Sequence, residues 1–241
     1  MDDLSNTSLK AYEPSDATKK LISDMPILLI VGPTGAGKDT LQLALLKTNK
    51  FRKIITHTTR PPRMNHGVME LTGHDYHFIN PAQAKKMLDD QLFIEAAIIH
   101  GNLYGTSASE FKATKDQSKI AIADIDVQGV KSYRQLSKKT MSIFLLPPSF
   151  EVMLKRLSLR YGHADHDKDI NVRLGTALDE LYELLDYRYY HAVINDDLKQ
   201  TIETAKSIVK NNYHDTKEDE QARHLARKLI EDIKKYIAAS S

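Results

Sequence analysis

Ile27-Leu28-Leu29-Ile30-Val31-Gly32-Pro33-Thr34-Gly35-Ala36-Gly37-Lys38 is the stretch on which the reading of this chain turns. It opens, from Pro26, with a short apolar run stopped by Gly32-Pro33. A run of that length ending in glycine and proline reads as a buried strand rather than a helix. After Lys38, residues 39–48 (DTLQLALLKT) place Leu41, Ala44, Leu45 and Leu46 at helical spacing. A strand, a glycine-rich turn and a helix in that order make a phosphate loop. The glycines let the backbone wrap closely around an anion, with the turn's N–H groups pointing inward. The helix start adds partial positive charge, and Lys38 supplies a full one to terminal phosphates. The loop by itself predicts phosphate binding and no particular enzyme.

Working outward, strand and helix signals alternate. Ile54-Ile55-Thr56 is strand-like, Pro81–Asp90 is helical with Pro81 suited to a first turn, and strands are expected at Ile120–Ile125 and Met141–Leu146, each followed by a helix. A helix over Ile170–Leu185, a short strand at Tyr189–Asn195 and a helix over 199–212 continue the series. Such alternation implies parallel strands joined by crossover helices, hence an α/β fold with a three-layer parallel-sheet core. Residues 1–24 are polar without apolar period and read as a mobile tail. Beyond 213, Thr216-Lys217-Glu218-Asp219 resembles a capping box, and Leu225, Leu229, Ile230, Ile233 and Ile237 form a helical stripe that must bury against the chain's own core or a second subunit.

Composition narrows the function classes. The chain has 241 residues, 41% hydrophobic and 27% charged, with a net charge of +2, and so makes no case for a nucleic-acid partner. The absence of cysteine removes disulfides, thiol catalysis and thiolate metal sites. No apolar run approaches the ~20 residues that span a bilayer, and the start of the chain lacks the apolar core of a signal peptide. A soluble cytoplasmic protein without membrane partners is expected, acting as a monomer or homodimer.

A second group of segments follows the loop: Thr56-His57-Thr58-Thr59-Arg60-Pro61-Pro62-Arg63, Gly73-His74-Asp75-Tyr76-His77-Phe78, Phe93-Ile94-Glu95, and Asn102-Leu103-Tyr104-Gly105-Thr106. Then come Asp124-Ile125-Asp126-Val127-Gln128-Gly129, Leu146-Pro147-Pro148-Ser149 and Val193-Ile194-Asn195-Asp196-Asp197-Leu198. Two arginines three apart around a stiff Pro-Pro make a clamp suited to a phosphomonoester. Asp124 and Asp126 alternate around Ile125 at a strand end, where ligands bind in open α/β sheets.

In order and spacing these segments resemble the guanylate kinase family over residues 26 to 210. The resemblance implies a P-loop core within 25–213, an inserted GMP-binding subdomain at about 57–110, a lid at about 156–174, and a helical extension over 214–241. It implies ATP at Gly32, Pro33, Thr34, Gly35, Ala36, Gly37, Lys38, Asp39 and Thr40, with Asn195 near the adenine. Arg60, Arg63, Tyr76 and Tyr104 would hold the GMP phosphate, and Thr56, Glu95, Thr106 and Asp126 would face the guanine. Asp124 would stand at the acceptor and metal site. Lys38 with Arg156, Arg160 and Arg173 of the lid would act on the transferring phosphoryl group. Mg²⁺ would arrive with ATP, and GMP or dGMP would be the acceptor. The chemistry is consistent: guanine presents N1–H and N2–H side by side, so one carboxylate at Glu95 can accept both, whereas adenine would oppose it with a lone pair. A site left unpaired in that way discriminates strongly.

Three features depart from the family pattern. Asp39 stands where a serine or threonine hydroxyl usually holds Mg²⁺, and either binds the ion itself or serves only the helix start. The link Met64–Thr72 is about four residues longer than usual and leaves the placement of Arg63 open. The lid carries His163, Asp165, His166 and Asp167, read as a solvated loop rather than a metal site. Gly-Lys-Asp also fits a related ribose bisphosphate kinase, against which Thr56, Glu95 and Tyr104-Gly105-Thr106 speak. A non-catalytic guanylate-kinase-like binding module is opposed by the intact glycines and Lys38.

Overall fold

The computed structural model describes residues 12–65, 68–99, 101–125, 127–161, 166–211 and 215–239. The chain is α/β, with a five-stranded parallel sheet in the order β11-β10-β1-β9-β2, where β1 is Ile27–Val31, β2 Phe51–Lys53, β9 Ile120–Asp124, β10 Thr140–Leu146 and β11 Tyr190–Ile194. The chain divides into two compact units.

One unit holds Leu28–Asn49, Asp124–Lys131 and the chain from Thr140 on. Every residue of β1 and β10 is buried, which explains the unbroken apolar runs of β1 and of Ile143–Leu146 in β10. β10 pairs with β11 in parallel, Phe144 opposite Ala192. Helices α2 (Lys38–Leu46), α6 (Phe150–Tyr161), α7 (His166–Asp186), α8 (Leu198–Asn211) and α9 (Thr216–Ala239) complete it. The apolar stripe of α9 packs on the unit's own α7, β11 and α6, burying Ala222, Ala226, Leu229, Ile230 and Ile233. The cap differs from the expected box: Asp215 accepts from the backbone N–H groups of Lys217 (2.7 Å) and Glu218 (3.3 Å). An aspartate one residue earlier already satisfies those orphan donors. Asp219 instead turns its carboxylate to the N–H of Ala192 (2.8 Å) and to Arg223 (2.7 Å).

The other unit holds the chain up to Ile27, Lys50–Ala123 and Ser132–Lys139. Here β2 pairs with β9 in parallel, Lys53 opposite Ile122. The strand lies just ahead of the Ile54-Ile55-Thr56 expected from apolarity: only Ile54 N–H extends the ladder, to Ile122 O (2.9 Å). A second sheet, β6-β3-β8-β7, joins β3 (His57–Thr58), β6 (His77–Phe78), β7 (Phe93–Ile99) and β8 (Asn102–Ser107). The extra residues after Arg63 form a small hairpin, β4 (Met64–Asn65) with β5 (Val68–Met69). Helix α3 (Pro81–Asp89) starts at Pro81 with a reciprocal cap between Asn80 and Gln83, and α4 (Ala108–Asp116) follows β8. Helix α5 (Val127–Leu136) ends in this unit.

The segment read as a tail is partly structured. Helix α1 (Asp16–Ile22) is capped by Ser15 and buries Ile22 completely. Tyr12 donates its hydroxyl proton to Phe93 O (2.8 Å) and accepts from Phe93 N–H (3.0 Å). Seven residues are too few to show apolar periodicity, which is why the helix escaped the sequence.

Candidate active site

The phosphate loop has the predicted setting, between β1 and α2. Gly37, just ahead of α2, adopts φ 95°, and a Cβ there would run into the side-chain nitrogen of Asn195. Only a residue without a Cβ can combine that conformation with that approach. The Lys38 ammonium donates to Gly32 O at 2.6 Å and Pro33 O at 3.4 Å, folding back over the turn. Arg156, on α6, donates to Gly35 O (3.0 Å). Asn195, only 6% exposed, donates to Ala36 O (2.8 Å) and accepts from the Thr201 hydroxyl (3.1 Å). Its side chain is thus committed to holding the loop.

A cavity of about 620 Å³ opens on this loop. Thr34, Gly35, Gly37, Lys38, Asp39 and Thr40 line it from the loop and α2, and Asp124, Arg156, Arg173 and Asn195 from other elements of the unit. Gly32, Pro33 and Ala36 are buried. Asp39 and Thr40 are exposed in the first turn of α2. Thr176 and Glu180 also line the cavity and were not expected. With Arg173 they recur at i, i+3 and i+7, one face of α7, a spacing that the sequence carries. Two hard carboxylates, Asp39 and Asp124, beside a hydroxyl suit Mg²⁺, which binds through one or two carboxylates plus phosphates and water. Among the described residues no group of three or more His, Cys, Asp or Glu could hold a metal without a nucleotide's help.

In the other unit, Tyr104 and Thr106 lie two apart on β8 and therefore share a face. Tyr104 Oη accepts from Arg60 Nε (3.1 Å), and Arg60 lies over the Tyr76 ring at 5.2 Å. A residue given no role by the sequence reading, Glu70, clamps Arg60 with two bonds, Nη1 to Oε2 (2.8 Å) and Nη2 to Oε1 (3.0 Å). The paired charges hold the Glu70 carboxyl below its ordinary range and keep the arginine charged. Glu70 also accepts from Arg63 N–H (2.8 Å), so the main chain at Arg63 stays pinned although hairpin β4–β5 is inserted after it. The Arg63 side chain is exposed. Thr56, half-buried just before β3, accepts from His77 N–H through its carbonyl (2.9 Å).

Glu95 faces Thr106 because the register of β7 against β8 shifts between Phe93 and Glu95. Such bulges re-aim side chains beside functional sites. The Thr106 hydroxyl donates to Glu95 Oε1 at 2.7 Å. Gly105 keeps the strands close, since a Cβ there would lie 2.9 Å from the Phe93 ring. The same unit carries a half-buried polar cluster around the buried Glu110. His57 and His77 stack at 4.5 Å, His77 Nε2 lies 3.0 Å from Glu110, and Arg52 donates to Glu110 at 2.9 Å.

Burial, helped by His77, pushes the His57 imidazole down to about 4. Unfolded, it would titrate near 6.5, so below that pH the unfolded state binds more protons. The contribution of neutral His57 to stability is therefore present above pH ~6.5 and lost as pH falls towards about 4. Thermal unfolding followed from pH 8 to pH 4 is expected to show the midpoint falling across that window, and the slope should flatten in His57→Phe.

Asp126 and the side chain of Arg160 lie outside the described residues, as do the side chains of the lid group His163, Asp165, His166 and Asp167.

Comparison with known proteins matches the guanylate kinase family profile to residues 24–212. A guanylate kinase of Pseudomonas fluorescens is 37% identical over 187 residues, 77% of this chain and 87% of that protein. Guanylate kinase 1 of rice is 37% identical over 76% of this chain, which spans only 47% of that longer protein. The crystal structure of guanylate kinase from Anaplasma phagocytophilum superposes with a TM-score of 0.58 at 25% identity, covering 87% of this chain and 95% of that one. With its phosphate loop, arginine clamp and Glu95–Thr106 pair falling inside the matched region, the chain belongs to the guanylate kinase family.

Proposed function

We propose that the cavity at the phosphate loop takes ATP, that the β3–β8 face takes GMP, and that the γ-phosphoryl group passes in line to the GMP phosphate, giving ADP and GDP. Guanylate kinase activity itself follows from family membership, and the residue roles are the proposal. The observation that carries them is the Glu95 carboxylate, turned by a strand bulge and held by Thr106 on the strand face that also carries Tyr104 beside Arg60. Glu95 accepts guanine N1–H and N2–H, and dGMP, which keeps the same base, is an acceptor as well. Glu70, Tyr104 and Pro61 O hold the Arg60 guanidinium beside Tyr76, and it would meet the acceptor phosphate there together with Tyr76 and Arg63. Glu70 orients this arginine and does not touch substrate.

On the donor side Lys38, Arg156 and Arg173 neutralise the charge on the phosphates, with Arg160 and Asp126 joining by the family pattern. Phosphoryl transfer needs positioning and charge neutralisation rather than a covalent intermediate. Asp39, Thr40 and Asp124 would hold Mg²⁺ brought with ATP, which when bound screens the phosphate charge. Asn195 acts through the loop rather than on the adenine. No helix among the described residues is long and apolar enough to cross a membrane. A cytoplasmic monomer or homodimer, without nucleic-acid partners, is the setting we infer.

The test is ADP release with GMP, dGMP, AMP, ribose bisphosphate or no acceptor. GMP and dGMP are expected to exceed AMP by orders of magnitude. Equal use of AMP, or a preference for the sugar phosphate, would end this reading.

A further inference from the structure

The carboxylate that reads the base does not stand alone. Thr106, which donates to it, is 1% exposed, and behind Thr106 lies Tyr133 of α5, also 1% exposed. The Tyr133 hydroxyl is 3.2 Å from Thr106 Oγ1, across 27 residues of sequence. Hydrogen-bond accounting settles which way each proton points. A carboxylate only accepts, so the single proton of Thr106 goes to Glu95 Oε1. Thr106 can then only accept from behind, and Tyr133 must be the donor. The phenol is well suited to that fixed part. Burial pushes its pKa well above the ordinary value, and the charge of Glu95 adds to the effect, so it keeps its proton. Its ring is braced by Phe111, with centroids 6.1 Å apart.

We propose that Tyr133 is a positioning residue for acceptor specificity: by donating to Thr106 it commits the threonine proton to Glu95 Oε1 and holds the carboxylate in the orientation that meets both guanine donors. The inference rests on the proposed role of Glu95. Without the phenol the Thr106 hydroxyl can rotate to other acceptors, and its buried lone pairs lose their donor. Glu95 would then tilt about its strand bulge, and the bond to N2–H, which needs both oxygens in place, would weaken more than a single bond to N1–H. Tyr133 touches no substrate in this scheme.

The readout compares GMP with IMP, which shares the N1–H donor but lacks the 2-amino group. Tyr133→Phe removes one oxygen and keeps the ring. It is expected to raise the KM for GMP about tenfold, with kcat and the KM for ATP within about twofold. The ratio of kcat/KM for GMP to that for IMP is expected to fall about fivefold. Tyr133→Met, which fills the space without a hydroxyl, should give the same lowered ratio, so either variant that folds decides the matter.

A purely packing role for Tyr133 would lower stability, or depress GMP and IMP alike, and an unchanged ratio in the hydroxyl-free variants overturns the inference. The wild-type control separates this from failure of the underlying reading. If the wild type uses GMP no better than AMP, the role of Glu95 falls and the inference with it. If the wild type prefers GMP and the variants keep the GMP-to-IMP ratio, only the role of Tyr133 falls.

Discussion

Arg223→Ala is expected to lower the free energy of unfolding by about 3–5 kcal/mol, the cost of breaking a buried charged network from one side. Arg223 is only 1% exposed, yet it donates to Asp219 Oδ2 (2.7 Å), Leu184 O, Tyr187 O (3.3 Å) and Tyr190 O (2.9 Å). Leu184 lies in the last turn of α7, where carbonyls lack intrahelical partners and a cation is favoured. An arginine from α9 therefore closes the end of the helix that carries Arg173, and links it to the start of β11. Alanine would leave buried carbonyls without donors and Asp219 without its cation. For a chain of this size the melting temperature should drop by roughly 10 °C, and calorimetry or urea titration would measure it. Arg223→Lys should recover only part of the loss, because an ammonium cannot reproduce the planar fork. A change below about 1 kcal/mol would show that α9 is held by its apolar stripe alone.

Glu95→Gln should cost about 2–3 kcal/mol in kcat/KM for GMP, roughly 30- to 150-fold. The amide keeps size and one acceptor but replaces the other with a donor, which would face guanine N1–H or N2–H. ATP use in the absence of acceptor is expected to stay unchanged, since Glu95 belongs to the acceptor face. Steady-state kinetics with GMP and AMP would check both the loss and the narrowed discrimination. A variant that retained wild-type kcat/KM for GMP would remove Glu95 from base recognition.

The parts of this molecule that could be read from the sequence are those whose causes are local. Strand β1, the glycine turn, Lys38 and α2 were legible because a short apolar run, a turn needing positive φ and a helical spacing each announce themselves within a dozen residues. The start of α3 at Pro81 and the buried stripe of α9 were legible for the same reason. Tyr104 and Thr106 were found as candidates, and their alternation on β8 puts them on one face. The family pattern then supplied roles that no local rule contains.

What the tertiary structure decided depends on partners far apart in the chain. Strand β2 lies at Phe51–Lys53, ahead of the more apolar Ile54-Ile55, because the ladder with β9 sets the register and apolarity alone does not. Glu70 was one acidic residue in a long link until the fold brought it against Arg60. Tyr133 looked like an aromatic on a helix, and nothing near it in sequence marks it as a donor to Thr106. A hydrogen bond or ion pair between distant residues is specified by two positions at once, and its geometry exists only after the backbone between them has folded. Local sequence therefore determined the elements and the phosphate loop, while the orientation of Glu95, Arg60 and Arg223 was settled by hydrogen-bond and ion-pair partners that only the folded chain brings together.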